Sequence, residues 1–295
     1  MNNQKISSMS RAAALAPWIF TIIWSSGFVV AKFAFTDGDS LYFLSLRLLL
    51  AALILFLLTL LLRQPLRLSS RNLQASLLIG LSLHGLYLGG VWYAIELGAP
   101  AGLSSVITSM QPILVSLIAV RLLAEPLTWK QGAGLLSGLV GVFLVVLPKL
   151  TGKDGFTAES LSLLIVALIG STLATLLQKK IGQDIPLMMG TTYQFLIAGV
   201  VMLALSIARG RTRFELTHTS FWTMAWAVLV TSIAAILLLL WLLNHGTAAK
   251  VSSMLYLIPP MAVLQGYLFF NEKVVPLGII GICLTALGVA LVIQS

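Results

Sequence analysis

Ten long apolar segments, each of about 18 to 24 residues and with little charge, follow one another along this chain. A helix of about 20 residues, rising about 1.5 Å per residue, spans the hydrocarbon core of a bilayer. The segments therefore predict an all-α polytopic membrane protein with ten transmembrane helices. The limits of predicted helices 1 to 10 are 12–34, 42–62, 73–95, 101–122, 130–148, 160–178, 187–208, 221–243, 248–270 and 275–294.

The composition excludes a water-soluble globule. Of the 295 residues, 59% are apolar and 9% are charged, whereas about a quarter are charged in an ordinary soluble domain. The net charge is +9, but the basic residues lie mainly at the ends of apolar runs, which is typical of membrane topology and not of nucleic-acid binding. The one cysteine, Cys283, excludes an intramolecular disulfide and a cysteine-based metal site. The expected partners are membrane lipid and a small-molecule substrate, with no cofactor, no metal and no nucleic acid.

The distribution of Lys and Arg predicts the orientation. With the N-terminus inside, ten of these residues fall on the cytoplasmic side and eight on the other. The first half of the chain decides more clearly than the second, where Arg209, Arg211 and Arg213 would be external. We expect both termini to be cytoplasmic, in a multi-pass, monomeric protein of the bacterial inner membrane.

Part of the chain is duplicated. Residues 96–146 recur as residues 244–293, with one residue deleted after a proline. The shared positions are Gly98, Ala101, Ser104, Ser105 and Pro112 with Gly246, Ala249, Ser252, Ser253 and Pro260, and Glu125, Gly134, Gly141, Val142 and Leu144 with Glu272, Gly281, Gly288, Val289 and Leu291. Each half, 1–150 and 151–295, then contains five helices. Because five is odd, the second half must be inverted in the membrane, although predicted helices 1 to 3 do not align with helices 6 to 8.

Inverted repeats are typical of secondary transporters, which expose a site near the midplane to one side and then to the other. A channel is the alternative, because some channels also arise by inverted duplication. Two glycine stripes are expected to pack the halves closely together. They are Gly134, Gly138 and Gly141 in helix 5, and Gly281 and Gly288 in helix 10.

The chain resembles the EamA group of the drug/metabolite transporter superfamily, and more loosely its amino-acid exporters of the YddG type. The resemblance rests on WSSGFVVAK at 24–32, on LRLLLAA at 46–52 and on the repeated Ser-Ser, Pro, Glu and Gly-Val blocks. It implies a ten-helix export carrier of the bacterial inner membrane, with a cargo that family membership does not name.

Polar residues within the helices are candidates for the substrate site, because polar side chains in a membrane face the protein interior or a water-filled cavity. Helical spacing puts several of them on common stripes. The stripes are Ser104, Thr108 and Gln111 in helix 4, Ser171, Thr175 and Gln178 in helix 6, and Ser252 and Tyr256 in helix 9. Helix 3 adds His84 and Tyr87, with Trp92 and Tyr93 nearer its outer end, and helix 1 adds Trp24, Ser25 and Ser26.

Hydroxyls, an amide, an imidazole and aromatic rings together suit a small zwitterionic or aromatic metabolite. Hydrogen bonding between helices, with no ligand, is the alternative interpretation for each of these residues. Pro112, Pro259 and Pro260 remove backbone donors and are candidate hinges, although such kinks also arise from packing.

None of the nine acidic residues lies near the middle of a predicted helix. Proton antiport through a carboxylate of helix 1, as in small multidrug transporters, is therefore unsupported, although His84 can titrate. Lys32 and Arg47 are interpreted as interfacial anchors. Motifs of hydrolytic enzymes such as G-x-S-x-G and H-E-x-x-H do not occur, so the chain is not expected to be an enzyme.

These features together predict a secondary transporter that exports neutral or aromatic amino acids, or related metabolites, by alternating access. A bidirectional permease or facilitator and a channel remain alternatives, because the sequence does not give the direction of transport.

Overall fold

The structure, a computed structural model, describes residues 2–36, 38–122, 128–149, 156–235, 238 and 258–293. These residues form helices and short connections, with no β-strand among them. The helices are numbered as the predicted helices with which they coincide. They are α1 Asn2–Ala34, α2 Ser40–Leu61, α3 Ser70–Glu96, α4a Ala101–Thr108, α4b Gln111–Leu122, α5 Trp129–Val146, α6 Ala158–Ile181, α7 Leu187–Ala208, α8 His218–Ala225 continuing as a π-helix over Trp226–Ala234, α9 Ile258–Phe270 and α10 Pro276–Ile293.

This arrangement confirms the all-α fold with ten helical segments. Among the described residues, four helices, α2, α3, α6 and α7, are long and apolar enough to cross a membrane by themselves, and shorter apolar helices lie in α1, α4a with α4b, α5, α9 and α10. The ends of predicted helix 8 beyond residue 235, and of predicted helix 9 before residue 258, lie outside the described residues, apart from residue 238.

Several boundaries differ from the predictions, and two of the helix starts have a clear local reason. Helix α1 begins at Asn2 and not at residue 12, because the polar stretch before Ala12 contains neither Gly nor Pro to stop it. Helix α3 begins at Ser70, where the side chain of Ser69 accepts a hydrogen bond from the Asn72 backbone N–H and so caps the helix.

Predicted helix 4 is broken into α4a and α4b at Ser109 and Met110. Pro112 explains the break, because a proline ring clashes with the carbonyl of the residue four positions earlier, which here is Thr108, the last residue of α4a. The break is where a hinge was predicted, but the hinge role itself stays a prediction.

Helices α3 and α8 each contain a π-helical stretch, Leu81–Leu88 and Trp226–Ala234. The two helices are third in their respective halves, so the stretches occupy equivalent places in the repeat. They supply the correspondence between helices 3 and 8 that no sequence motif provided. A π-turn is wider than an α-turn and is frequent at functional sites.

Glycines bring α5 and α10 into contact across the two halves. A Cβ atom added to Gly281 would lie 2.5 Å from the Gly141 carbonyl oxygen, and one added to Gly288 would lie 2.6 Å from the Gly134 carbonyl oxygen. No side chain fits at these distances, so the glycines allow the backbones to meet. The predicted packing of the two glycine stripes is confirmed. Helices α2 and α7, second in each half, form another extensive contact.

Candidate functional site: a central cavity and its two ends

A cavity of about 350 Å³ lies among the helices of both halves, which is within the size range of small-molecule sites. Helices α1, α2 and α3 line it from the first half, and α6, α7 and α8 from the second. Its aromatic lining is Trp24, Phe28, His84, Tyr87, Trp92 and Phe195, and its other polar lining is Arg47, Gln178, Thr191, Gln194 and Thr231.

The π-helical stretch of α3 supplies much of one wall. Leu83, His84, Tyr87 and Leu88 all line the cavity, at spacings of one, four and five residues. A π-turn places residues i, i+4 and i+5 on one side of the helix. The rings of His84 and Tyr87 therefore both face the cavity. The His84 ring packs edge-on against Phe195 of α7, with 4.6 Å between ring centroids.

Five of the candidate residues named from the sequence line this cavity, namely Trp24, His84, Tyr87, Trp92 and Gln178. Gln178 also donates a hydrogen bond from Nε2 to the Gly182 carbonyl oxygen at 3.0 Å, near the end of α6. The structure therefore brings together side chains from predicted helices 1, 3 and 6, as the sequence indicated. Their contact with a substrate stays a prediction.

Other predicted site residues lie outside the cavity lining. The hydroxyls of Ser25, Ser104, Thr108 and Ser171 donate to backbone carbonyls of their own helices, and Gln111 Nε2 donates to Thr175 Oγ1 between α4b and α6. The side chain of Thr108 also lies close to that of Tyr87, so α4a packs beside the cavity wall. In this conformation these contacts match the alternative interpretation, hydrogen bonding within and between helices.

The remaining candidates belong to predicted helix 9. Ser252 and Tyr256 lie outside the described residues. Pro259 and Pro260 are the second and third residues of α9, where the missing N–H groups are tolerated in the first turn of a helix. Because the chain before Ile258 is not described, their hinge role stays a prediction.

Arg47 is the residue that sequence reasoning misjudged most. It was interpreted as an interfacial anchor, but its side chain is only 5% exposed and lines the cavity. The interpretation was wrong because Arg47 lies two turns inside α2, on the face that packs against α8. Gln194, Thr191 and Thr231 were also missed, because single polar residues in apolar helices carry no motif.

Charged side chains fasten one end of the bundle, which we call the tied end (Lys32, Asp39, Glu96, Arg211 and Glu272). Glu272 joins three elements there: Lys32 Nζ of α1 lies 2.7 Å from its Oε1, and the backbone N–H groups of Ala101 and Gly102 donate to its two oxygens at 3.0 and 3.1 Å. The carboxylate thus caps the N-terminus of α4a, where the helix dipole favours negative charge. Lys32 is therefore part of a tie between α1 and the end of α9.

A second tie at this end centres on Glu96, the last residue of α3. Its Oε2 accepts hydrogen bonds from the backbone N–H and the hydroxyl of Ser40, and Arg211 Nη1 lies 3.0 Å from its Oε1. Beside it, Gly38 and Phe214 form an antiparallel β-bridge. The Asp39 N–H donates to the Arg213 carbonyl oxygen at 3.0 Å.

The opposite end, which we call the loose end (62–69 and 182–186), has a neutral contact among its described residues. Asn72 Nδ2 donates to the Asp184 carbonyl oxygen at 3.2 Å, in an exposed and neutral hydrogen bond between α3 and the α6–α7 loop. The cavity lining reaches this end at Leu187, which is 42% exposed, whereas Trp92 towards the tied end is 1% exposed. The cavity therefore extends towards the loose end and is closed by Trp92 towards the tied end.

The sequence profile of the EamA-like transporter family matches residues 12–147 and 159–294, one match in each half. The chain belongs to the EamA-like transporter family. This confirms the predicted resemblance at the level of the family. As an EamA-like transporter, the chain is a multi-pass membrane protein whose substrates are small molecules. The YddG-type assignment stays a prediction.

Curated relatives of this EamA-like chain are themselves named as transporters. It is 24% identical over 270 residues, 91% of this chain and 92% of the other, to "Uncharacterized transporter YoaV" of Bacillus subtilis (strain 168). It is 28% identical over 246 residues, 83% and 78% of the two chains, to "Uncharacterized inner membrane transporter YedA" of Escherichia coli (strain K12). It is 31% identical over 191 residues, 62% of this chain and 59% of the other, to "S-adenosylmethionine/S-adenosylhomocysteine transporter" of Chlamydia muridarum (strain MoPn / Nigg).

A solved crystal structure shares the fold of this EamA-like chain. The two superpose with a TM-score of 0.65 over 95% of this chain and 96% of the other, at 14% sequence identity. The likeness establishes the architecture of ten helices and says nothing of the substrate.

Proposed function

We propose that this EamA-like transporter exports neutral or aromatic amino acids, or related small zwitterionic metabolites, across the bacterial inner membrane by alternating access. The observation that carries the proposal is the central cavity, which combines aromatic rings with a few polar groups and extends towards the loose end. Substrates of this class need both kinds of contact, because they have a charged backbone and an apolar side chain.

The charges around the loose end support a cytoplasmic position for this end of the bundle. Arg63, Arg67, Arg71, Lys179 and Lys180 all lie near it, and positive residues favour the cytoplasmic side of a bacterial membrane. The loose end is then cytoplasmic, with both termini on the same side. A cavity that extends towards the cytoplasm can take up cargo from inside the cell, which an exporter requires.

Alternating access requires that the tied end opens in another conformation. The break at Ser109 and Met110 gives α4a freedom to move relative to α4b, and α4a is the helix that Glu272 caps. Such a movement would also expose Thr108, whose hydroxyl donates to backbone carbonyls of α4a in the present conformation. We therefore expect the polar residues of helix 4 to contact the substrate while the tied end opens, and not in the conformation described above.

S-adenosylhomocysteine is a second candidate, because the relative from Chlamydia muridarum is named as its transporter and as that of S-adenosylmethionine. Its nucleobase has a flat ring that can stack on aromatic side chains such as Trp24 and Tyr87. S-adenosylmethionine fits less well, since it carries a net positive charge and no carboxylate side chain lines the described part of the cavity.

The test is uptake by proteoliposomes that contain the purified protein. A panel of amino acids and S-adenosylhomocysteine should show saturable uptake of at least one neutral or aromatic amino acid, with and without an imposed pH gradient. His84→Ala should lower kcat/KM by about tenfold, since it removes a buried polar contact in the cavity. His218→Ala is the matched control, because His218 is exposed at the start of α8 and bonded to Trp222.

Three results would contradict the proposal. Flux no greater than that of empty vesicles for every amino acid would reject the cargo class. Flux that rises linearly with concentration, without saturation, would favour a channel. Equal loss of uptake in the His84 and His218 variants would show that the cavity is not the transport path.

A further inference from the structure

Arg47 carries a positive charge into the membrane-spanning part of the protein. It lies seven residues after Ser40 in α2, so its backbone is about 10 Å along the helix axis from that end. A charged side chain at such a depth is costly unless it is paired or serves a function. The 5% exposure of Arg47 means that water outside the bundle does not compensate this cost.

The contacts of Arg47 account for only part of its guanidinium. Nε donates to Ser232 Oγ of α8 at 3.1 Å, and the guanidinium carbon lies 5.4 Å from the centroid of the Trp92 ring. Nη1 is buried and has no hydrogen-bond partner in the described ranges. A purely structural link between α2 and α8 would need only the Nε hydrogen bond. The Nη1 donor of Arg47 is therefore left without a structural role.

The surroundings of Arg47 contain aromatic and neutral groups. His84 and Tyr87 of α3 are near enough to interact with its charge, and Ser232 faces it from α8. Of the acidic residues that the structure describes, the two nearest along the chain have other partners: Asp39 accepts from the Arg213 N–H, and Glu96 accepts from Ser40 and Arg211. Among the cavity-lining residues that the structure describes, Arg47 is the one cation, and none is an anion.

We propose that Arg47 binds the carboxylate of the transported molecule, beside Trp92 at the closed end of the cavity. A guanidinium presents parallel N–H donors that match the two oxygens of a carboxylate, and a water-poor site strengthens such a pair. Gln194 and Thr191 of α7 line the same cavity and carry oxygen acceptors for an ammonium group. The ligand class is then small carboxylates with an apolar body, zwitterions included.

This inference rests on the proposed function only in taking the cavity as the substrate site. It goes further because it makes the carboxylate essential and the ammonium group dispensable. The proposed function can fail while the inference holds, if the true cargo is a carboxylate that is not an amino acid.

The first test uses the unmodified protein in detergent, with four ligands that share one phenyl ring. Thermal shift and quenching of tryptophan fluorescence report binding of L-phenylalanine, L-phenylalaninamide, phenethylamine and 3-phenylpropionate. We expect both carboxylates to bind, and the amide and the amine to bind about tenfold more weakly or worse, because they lack the charge-assisted pair. Equal affinity for L-phenylalanine and its amide, or no binding of any of the four, would overturn the proposal.

The second test removes the guanidinium. Arg47→Gln should weaken 3-phenylpropionate by about tenfold or more and leave phenethylamine unchanged, and Arg47→Lys should restore part of the loss because it keeps the charge without the fork. Arg67→Gln is the matched control, since Arg67 is exposed in the α2–α3 connection. A Gln variant that binds carboxylates as the wild type does, or weakens all ligands equally, would overturn the proposal. If that variant does not fold, the ligand series decides.

The two tests separate this inference from the proposed function. No transport of amino acids, combined with Arg47-dependent binding of 3-phenylpropionate, rejects the amino-acid cargo and supports the carboxylate site. Transport of amino acids with unchanged KM by Arg47→Gln supports the cargo and rejects the site.

Discussion

The contacts that the structure describes at the two ends of the helix bundle differ in chemistry. At the tied end, Glu272 and Glu96 each accept several hydrogen bonds, including backbone N–H groups and a basic side chain. At the loose end, α3 meets the α6–α7 loop through a neutral amide at the surface. Hydrogen bonds to charged groups are about twice as strong as neutral ones. The ties of Glu272 and Glu96 therefore stabilise the conformation in which the cavity extends towards the loose end.

The residues of the Glu272 tie have counterparts in the other half of the repeat. Glu272 corresponds to Glu125, and Ala101, whose N–H it accepts, corresponds to Ala249. Both counterparts lie at the loose end of the predicted topology and outside the described residues. Because an inverted repeat can exchange the shapes of its halves, the tie at Glu272 has a sequence counterpart in the other half.

The largest expected effect comes from locking the tied end covalently. In a Cys283→Ser background, we expect Asp39→Cys and Arg213→Cys to form a disulfide on oxidation. The two positions are opposed to each other and adjacent to the antiparallel Gly38–Phe214 bridge. Opposed residues in such a pair lie about 4.5 to 5.5 Å apart at Cα, within disulfide range. Transport should fall to the level of empty vesicles and return with reductant, while ligand binding measured in detergent persists.

The two single-cysteine variants are the controls for this lock, and their transport should not respond to oxidant. An oxidised double variant that still transports at the wild-type rate would show that the tied end does not open during the cycle. The comparison between the ends would then describe stability and not mechanism.

A smaller effect is expected from removing the charge of one tie. Glu272→Gln keeps the shape of the side chain but weakens its bonds to Lys32 and to the α4a N-terminus, which should cost about 2 kcal/mol. The apparent Tm in detergent should fall by a few degrees. Lys273→Gln, at an exposed neighbouring position, is the matched control. Equal Tm values for the two variants would show that the carboxylate does not hold this end together.

The sequence predicted the fold well because the membrane imposes a strong and simple rule. Each apolar run of sufficient length becomes a helix, and the glycine stripes Gly141 and Gly281 predicted the contact of α5 with α10, since only small residues allow such an approach. The Pro112 break was predictable from its missing N–H group. The π-helical stretches were not, because they depend on how neighbouring helices pack.

The site was predicted less completely, for a physical reason. Serine and threonine in apolar helices satisfy themselves by bonding to the previous turn, as Ser104 does, so their presence on a stripe says little about a cavity. His84 and Trp24 were found because large polar rings are hard to place elsewhere. Arg47 was missed because its distance from the helix end fits both an anchor and a buried charge, and only the packing of α8 against α2 decides.

The smallest effect is expected at the loose end. Asn72→Ala removes the Nδ2 bond to Asp184, and an exposed neutral contact contributes less than about 0.5 kcal/mol. The Tm in detergent should therefore change less than it does for Glu272→Gln, measured in the same scan. Because the lost contact is weak, the variant should also transport at nearly the wild-type rate. A Tm loss as large as that of Glu272→Gln would mean that the two ends are fastened equally, and that the charged ties do not select the conformation in which the cavity extends towards the loose end.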